Sequence, residues 1–375
     1  MARPSNPSLE MNFSISAALH HTLEPTLQRI EVWSTLGIPS FRVVGLPGPE
    51  IIESCERVRA AIECSGFEFP RKRVLVNLSP AGIRKQGTGT DLAIAISILK
   101  LDFKSKLVAS GELGLDGRIC SAGKVVRTCL AAHEAGADFV LLAEEDRSRA
   151  REAMRLIQEV KGQNQPVPRL WFAGSLREAV LVLEGRPSTV NPIEKPKTPT
   201  HQEAEELLRP DGGLFRKLLA CSAGAHSLLL LGPKGAGKSE ALRWLSFLRE
   251  DLGAADLLEH LKLVELMPAS GSDDWPEKGP VREVQPHARS EMLLGTIQRG
   301  QILPGELALA HGGLLLADEF LEWRRDAREC LRDPLETGQV LLQRAQQSVA
   351  LPARFILASA ANLCPCGGTP PELGE

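Results

Sequence analysis

No apolar run in this sequence is longer than a strand, so no transmembrane helix is available to it. The opening residues, MARPSNPSLEMNFSIS, lack the apolar core of a secretory signal. Eight cysteines are scattered over 375 residues. That spacing excludes a disulfide framework and implies reduced thiols and a cytoplasmic setting. Tyrosine is absent and tryptophan numbers five, for which the chain offers no physical reason. A basic surplus is missing too. Net charge is −3, and from Glu206 onward 18 Lys/Arg face 23 Asp/Glu. Nucleic-acid contact in that half would have to be local, on a loop or in a ring's pore.

What is present fits a globular protein: 43% hydrophobic and 24% charged residues, with length for two domains or three. The stretch RPSTVNPIEKPKTPT, residues 186–200, holds four prolines and almost no apolar periodicity, and reads as an extended linker. Before it, FRVVGLP reads as a strand ending in a turn. Ile51, Ile52, Cys55, Val58 and Ile62 then recur at helical spacing, with Pro49 at the start and Gly66 past the end. RVLVNLSP is a second strand, TDLAIAISILK an apolar helix, and VVRTCLAAHEAGADFVLLA a helix, a glycine stop and a strand. No internal repeat is visible.

After the linker, LLLLGPKGAGKSEAL raises the question of a bound nucleotide. Gly232, Pro233, Lys234, Gly235, Ala236, Gly237, Lys238 and Ser239 fit G-x-x-x-x-G-K-[ST]. The run before them reads as a short buried strand, and Glu240 to Leu248 as a helix. Glycines let successive backbone N–H groups turn inward as an anion nest at the positive end of that helix. Lys238 supplies a point charge for the β- and γ-phosphates, and the Ser239 hydroxyl a ligand for Mg²⁺. The plainer reading is a glycine-rich turn in an ordinary βα unit. The full motif with both flanks favours ATP.

Two further stretches support that choice. In GGLLLADEF, Leu314 to Ala317 form a buried strand that delivers Asp318 and Glu319 at its C-terminal end, where open α/β sheets place ligands. Asp318 would hold the Mg²⁺ shell and Glu319 would polarise the attacking water. In isolation such a pair is often just a solvated cap. About 80 residues after a full phosphate loop, it is the expected partner. In ARFILASAANLCPCGG, Phe355 to Ala360 read as a strand with Asn362 beyond its end, an amide placed to sense the γ-phosphate or orient the water. A turn-forming Asn is the alternative.

These segments carry a resemblance. AGAHSLLLLGPKGAGKS, LPGELALAHGGLLLADEF, LRDPLETGQVLLQRA and PARFILASAANLCPCG are similar to the magnesium-chelatase-like AAA+ ATPases, specifically the competence-related ComM/YifB family. Independently, the segment from FRVVGLPGPEIIESCERVRAAIECSGF to GELGLDGRI resembles that family's N-terminal domain. The resemblance implies an α/β chain: a Lon-protease-like (ribosomal S5 domain 2-like) α+β domain over 1–185, a linker over 186–205, and a P-loop AAA+ αβα sandwich over 206–375 that lacks its helical lid. It also implies ATP and Mg²⁺ as cofactors, a homo-hexameric ring, and branched or single-stranded DNA as partner, with branch migration in the recombination of natural transformation as the work done. Gly232 to Ser239 take the place of the family's phosphate loop, Asp318 and Glu319 its Mg²⁺ and water-activating pair, and Asn362 its first sensor. Residues 295–306 take the place of the pore hairpin, with Arg299 as its positive charge.

Three departures qualify the resemblance. The family's Gly-Pro-Ser-Phe-Asp is here Gly87-Thr88-Gly89-Thr90-Asp91. Gly89 and Val126 align with the protease Ser and Lys and can serve as neither, so the N-terminal domain is expected to be non-proteolytic. The family's His-His-Ser is here His287-Ala288-Arg289-Ser290. Lastly, the sequence stops at Glu375, and the expectation is a domain truncated after the first sensor, without arginine finger or lid. Arg344 and Arg354 remain as basic candidates, Arg354 as a structural one. Cys364 and Cys366 invite a zinc reading but have no nearby second pair, and two reduced thiols are the reading for the chain as it stands. The functional alternatives are a ComM-type ATPase on DNA, a chelatase-like motor driving a protein partner, or an ATP-binding module with little hydrolysis.

Overall fold

The computed structural model describes residues 15–19, 22–80, 85, 87, 89–99, 101, 105–162, 166–185, 212–249, 251–267, 278–298, 300–344 and 347–362. The chain divides into two compact units, Met1–Glu194 and Lys195–Glu375. The proline-rich stretch 186–205, Arg299, Cys364 and Cys366 lie outside the described residues.

The first unit is built on strands β1 (Ile15–Leu19), β2 (Thr26–Thr35), β3 (Ser40–Val44), β4 (Arg73–Ser79), β5 (Leu107–Ala109), the short hairpin β6 (Glu112–Leu113) and β7 (Ile119–Cys120), β8 (Phe139–Ala143) and β9 (Arg169–Ala173). Its helices are α1 (Pro49–Cys64), α2 (Asp91–Leu99), α3 (Val125–Glu134), α4 (Arg147–Lys161) and α5 (Leu176–Leu183). Seven strands form one sheet in the order β3-β4-β2-β1-β5-β8-β9. Only β2 runs against its neighbours.

One face of that sheet buries Ile30, Val74, Val76 and Leu78 against α1, α2 and α5. Alternation in β4 follows from this: Val74, Val76 and Leu78 point inward, and Arg73, Leu75, Asn77 and Ser79 outward. Helix α1 presents Ile51, Val58, Ala61 and Ile62 to the core. Ile52, placed in the apolar series by its spacing, is 59% exposed instead. The stripe runs through Ser54, whose hydroxyl satisfies itself on the Glu50 carbonyl at 3.0 Å and can therefore be buried. On the other face α3 and α4 pack on each other and against β8 and β9. The outer side of β2, β4 and β3 keeps Arg29, Trp33, Arg73, Arg42 and Val44 exposed.

The second unit holds α6 (Gly212–Ala223), β10 (Leu228–Gly232), α7 (Lys238–Phe247), α8 (Ala254–Val264), β11 (Val281–Val284), α9 (Ser290–Leu294), β12 (Gly295–Gln298), β13 (Gln301–Pro304), α10 (Glu306–Leu309), β14 (Gly313–Ala317), α11 (Arg325–Glu329), α12 (Arg332–Thr337), β15 (Gln339–Arg344), β16 (Gln347–Pro352) and β17 (Phe355–Asn362). Four strands form an all-parallel sheet in the order β10-β17-β14-β11. Strands β12 and β13 make one antiparallel hairpin, β15 and β16 another.

Leu228, Leu230, Leu314, Leu316, Ala358 and Ala360 face α6 and α7, where Leu218, Leu242 and Leu245 complete the core. The sequence reads the strand before the phosphate loop as buried, and here the structure corrects it. Leu229 and Leu231 are 44% and 37% exposed, because β10 is an edge strand among the described residues and helices cover only its other face. Arg249 is buried and donates to the carbonyls of Gly279 (2.9 Å), Pro280 (3.0 Å) and Gly312 (3.1 Å). It thereby fastens the approaches to β11 and β14 to the end of α7's segment. Burial among neutral carbonyls lowers its pKa from the ordinary value. Among the described residues no helix is long and apolar enough to cross a membrane.

Candidate nucleotide site

Three adjacent parallel strands end at one edge of the second sheet, and each delivers a polar residue there. β10 ends at Gly232 and passes through the loop to α7. β14 ends at Ala317, followed by Asp318 and Glu319. β17 runs two residues past the expected end at Ala360, so that Asn362 is its last residue rather than lying beyond it, paired in register with Gly232. Parallel strands all point their C-terminal ends the same way, so residues 79 and 124 positions apart converge.

Between β10 and α7 the chain reverses through Gly235 (φ +82°) and Gly237 (φ +71°). Both conformations are left-handed, which glycine adopts without a Cβ penalty. Gly237 caps the helix, and Lys238 and Ser239 form its first turn. The helix dipole makes that turn the positive pole.

The Lys238 ammonium donates to the Gly232 carbonyl (3.0 Å), the Pro233 carbonyl (2.8 Å) and Asn362 Oδ1 (2.9 Å). Its three protons thus meet three neutral dipoles and no carboxylate. The positive charge stays uncompensated beside a helix N-terminus, and that combination fits a polyanion such as a nucleotide's phosphates. Lys234, in the same loop, has no ion-pair partner among the described residues.

On the other side of the loop, Ser239 Oγ donates to Asp318 Oδ2 at 2.5 Å. Asp318 Oδ1 accepts from the Glu319 backbone N–H at 2.8 Å. A hydroxyl and a half-buried carboxylate side by side are the hard oxygen donors that Mg²⁺ prefers. Glu319 has φ +48° and ψ +41°, left-handed backbone for a residue that carries a Cβ. Such a conformation costs about 1–3 kcal/mol and persists where surroundings enforce it. Here the enforcing contact is Trp323, 2% exposed, whose indole N–H donates to the Asp318 carbonyl at 3.1 Å. The Glu319 side chain is left exposed at the sheet edge. Trp323 was not legible as a site residue. Its only sequence signal is an aromatic residue a few positions after an acidic pair.

The remaining sequence candidates lie elsewhere. Strands β12 and β13 form the hairpin expected over residues 295–306, and Arg344 reaches it through Nη1 to the Ile297 carbonyl. Arg354 pairs with Asp256 at 2.5 Å, and its backbone N–H donates to His311 Nδ1 at 3.1 Å, which makes it part of the framework. In the first unit Val126 is fully buried on α3. A Cβ built on Gly89 would stand 2.9 Å from the Ala122 Cβ, so even alanine is crowded there. No cluster of three metal-ligating side chains occurs among the described residues.

Comparison with known proteins gives the chain its family. Residues 214–372 match the family described as magnesium chelatase, subunit ChlI, and residues 30–146 match that described as subunit ChlI of Mg-chelatase. The competence protein ComM of Haemophilus influenzae is 30% identical over 365 residues, covering 92% of this chain and 67% of its own length. The chain belongs to the ComM/YifB family of magnesium-chelatase-like AAA+ proteins. YifB of Escherichia coli is 32% identical over 355 residues, covering 90% of this chain and 65% of YifB. The chain therefore spans just under two thirds of the YifB length. A magnesium-chelatase 38 kDa subunit of Cereibacter sphaeroides is 28% identical over 180 residues, 42% of this chain and 49% of the subunit. The second unit has the P-loop AAA+ fold. Its order β10-β17-β14 places the loop strand and the Asp-Glu strand on either side of the Asn362 strand.

Proposed function

We propose that the second unit binds ATP with Mg²⁺ and that this ComM/YifB-family protein remodels branched or single-stranded DNA as a homo-hexameric ATPase, in the setting of competence that its ComM relative's name records. The observation that carries the reading is the convergence of Lys238, Ser239, Asp318 and Asn362 at one sheet edge. When bound, ATP supplies the transferable phosphoryl group and Mg²⁺ the counter-charge on it. Lys238, held by three neutral acceptors, can turn its ammonium toward the β- and γ-phosphates without breaking an ion pair. Ser239 Oγ and Asp318 Oδ2 would hold the metal's shell. Glu319, exposed and aimed by the strained turn, would orient water and accept its proton. Asn362 would register the terminal phosphate through the amide that now engages Lys238.

A motor acting on a protein partner is the second reading, favoured by the chelatase-subunit match. That match spans less than half of this chain, whereas the ComM and YifB relatives match both units. Phosphate release with and without forked DNA separates the two. The proposal expects forked DNA to stimulate release and Glu319→Gln to abolish that stimulation while leaving ATP affinity within about threefold. Release indifferent to DNA in the wild-type chain would favour the protein-directed motor, and binding with no release in either condition would leave an ATP-binding module.

A further inference from the structure

The geometry points to the outer face of the first unit's sheet, at its β3–β4–β2 end, as a platform for single-stranded nucleic acid. The inference rests on the proposed action on DNA and adds where, outside the ATPase unit, the strand would be held.

Register places the face. Trp33 on β2 stands opposite Leu75 on β4, and Leu75 stands beside Arg42 on β3, forming one cross-sheet row. Arg73, paired with Thr35 and Ser40, forms the next row, and Arg29, paired with Ser79, lies at the far end. Alternate residues share a face, so all of these point away from the core. Trp33 is 53% exposed, an unusual degree for so large an apolar surface within a strand. None of Arg29, Arg42 and Arg73 has a carboxylate within salt-bridge reach among the described residues. The one acid in these rows, Glu31, accepts from Asn77 Nδ2 at 2.8 Å.

One hollow continues the face: at its Arg29 end a cavity of about 420 Å³ is lined by Arg29 and Lys106. The larger cleft beside Phe41 and Phe69 opens on the α1 side of the sheet and is not part of this face. From Arg29 to Thr35 the strand spans about 20 Å at about 3.3 Å per residue. A flat aromatic face flanked by unpaired guanidiniums along an extended track is the pattern that binds single strands, with bases stacking on the ring and phosphates on the charges. A duplex keeps its base faces stacked inside and cannot use Trp33 in this way. A protein surface would need several acidic groups spaced to meet three separate guanidiniums, whereas a nucleic-acid backbone has that spacing inherently. The acidic balance of the ATPase half makes a local basic face on the other unit the natural place for this contact.

Fluorescence anisotropy of a labelled oligothymidylate with the full chain, without nucleotide, tests the inference. Trp33→Ala should weaken binding at least about fivefold, one stacked base being worth about 1–3 kcal/mol. Trp33→Phe should restore most of the affinity, and Arg42→Gln should weaken binding and flatten its salt dependence. Unchanged melting temperatures would confirm that the variants fold. Oligothymidylate binding by Trp33→Ala equal to wild type overturns the inference, as does a change confined to its sedimentation, which would mark a protein contact. Forked-DNA stimulation of phosphate release reports separately on the proposed function. If stimulation persists with no dependence on Trp33, only this inference fails. If stimulation is absent in a wild type whose oligothymidylate binding depends on Trp33, only the proposed function fails.

Discussion

Lys238 and Asn362 lie 124 positions apart, yet the ammonium of the first donates to the side-chain oxygen of the second at 2.9 Å. This contact and the one between Ser239 and Asp318 together frame the candidate nucleotide site. It links the loop to the last described strand, so a change in what Lys238 touches is felt by β17. That strand pairs with both β10 and β14, and so stands between the loop and the acidic pair.

The Ser239–Asp318 pair predicts metal dependence. Wild-type chain should bind ATP more tightly with Mg²⁺ than with a chelator present. Asp318→Ala should lose at least tenfold of that gain, about 1.4 kcal/mol. Ser239→Ala should lose a smaller part, since only the neutral ligand goes. An Mg²⁺ enhancement in Asp318→Ala as large as in wild type would remove Asp318 from the metal's shell.

His260 predicts a pH dependence of stability in the second unit. It is buried, its Nδ1 has no partner among the described residues, and burial pushes its pKa down to about 4, helped by the neighbouring His311 and Arg282. A depressed folded-state value means the fold requires the neutral ring. Its stabilising contribution is complete above the ordinary value near 6.5 and is lost as pH falls from there toward 4. At about 1.4 kcal/mol per unit, acidification from 6.5 to 4.5 should cost roughly 2 kcal/mol through this group. Thermal unfolding of His260→Leu should show a shallower acid limb than wild type. Parallel limbs would show that other groups set the acid sensitivity.

Gly89 and Val126 predict that the first unit hydrolyses no peptide bond. Glycine offers no nucleophile, the fully buried valine no base, and the space at Gly89 is already tight. Purified chain incubated with casein and ATP should leave it intact. Cleavage abolished by a substitution within residues 1–185 would contradict this.

The sheet-edge residues of the site were legible in sequence because parallel strands announce themselves as apolar runs and their ends as sudden polarity. Leu314–Ala317 into Asp318, and Phe355–Ala360 with Asn362 soon after, are of this kind. Glycine positions in the phosphate loop were equally plain, since Gly235 and Gly237 need positive φ. Side coverage was not legible. Four consecutive leucines before Gly232 read as buried on both faces, and only the packing of α6 and α7 on one side tells Leu228 and Leu230 from Leu229 and Leu231. The same limit applies to Ile52, which satisfies helical spacing but falls on the wet side of α1. The Trp33 face was invisible for another reason. It exists only through the register of β2, β4 and β3, which places residues 33, 75 and 42 in one row.

Calorimetric titration of Mg²⁺-ATP into wild type and Lys238→Ala tests the central claim most directly. Removing the ammonium takes away the one charge in the loop that three neutral dipoles hold ready for phosphate. The account predicts that the variant binds at least tenfold more weakly, about 1.4 kcal/mol, with its fold intact by circular dichroism. Equal affinity for the two proteins would contradict it and leave Gly232 to Ser239 as no more than a glycine-rich turn.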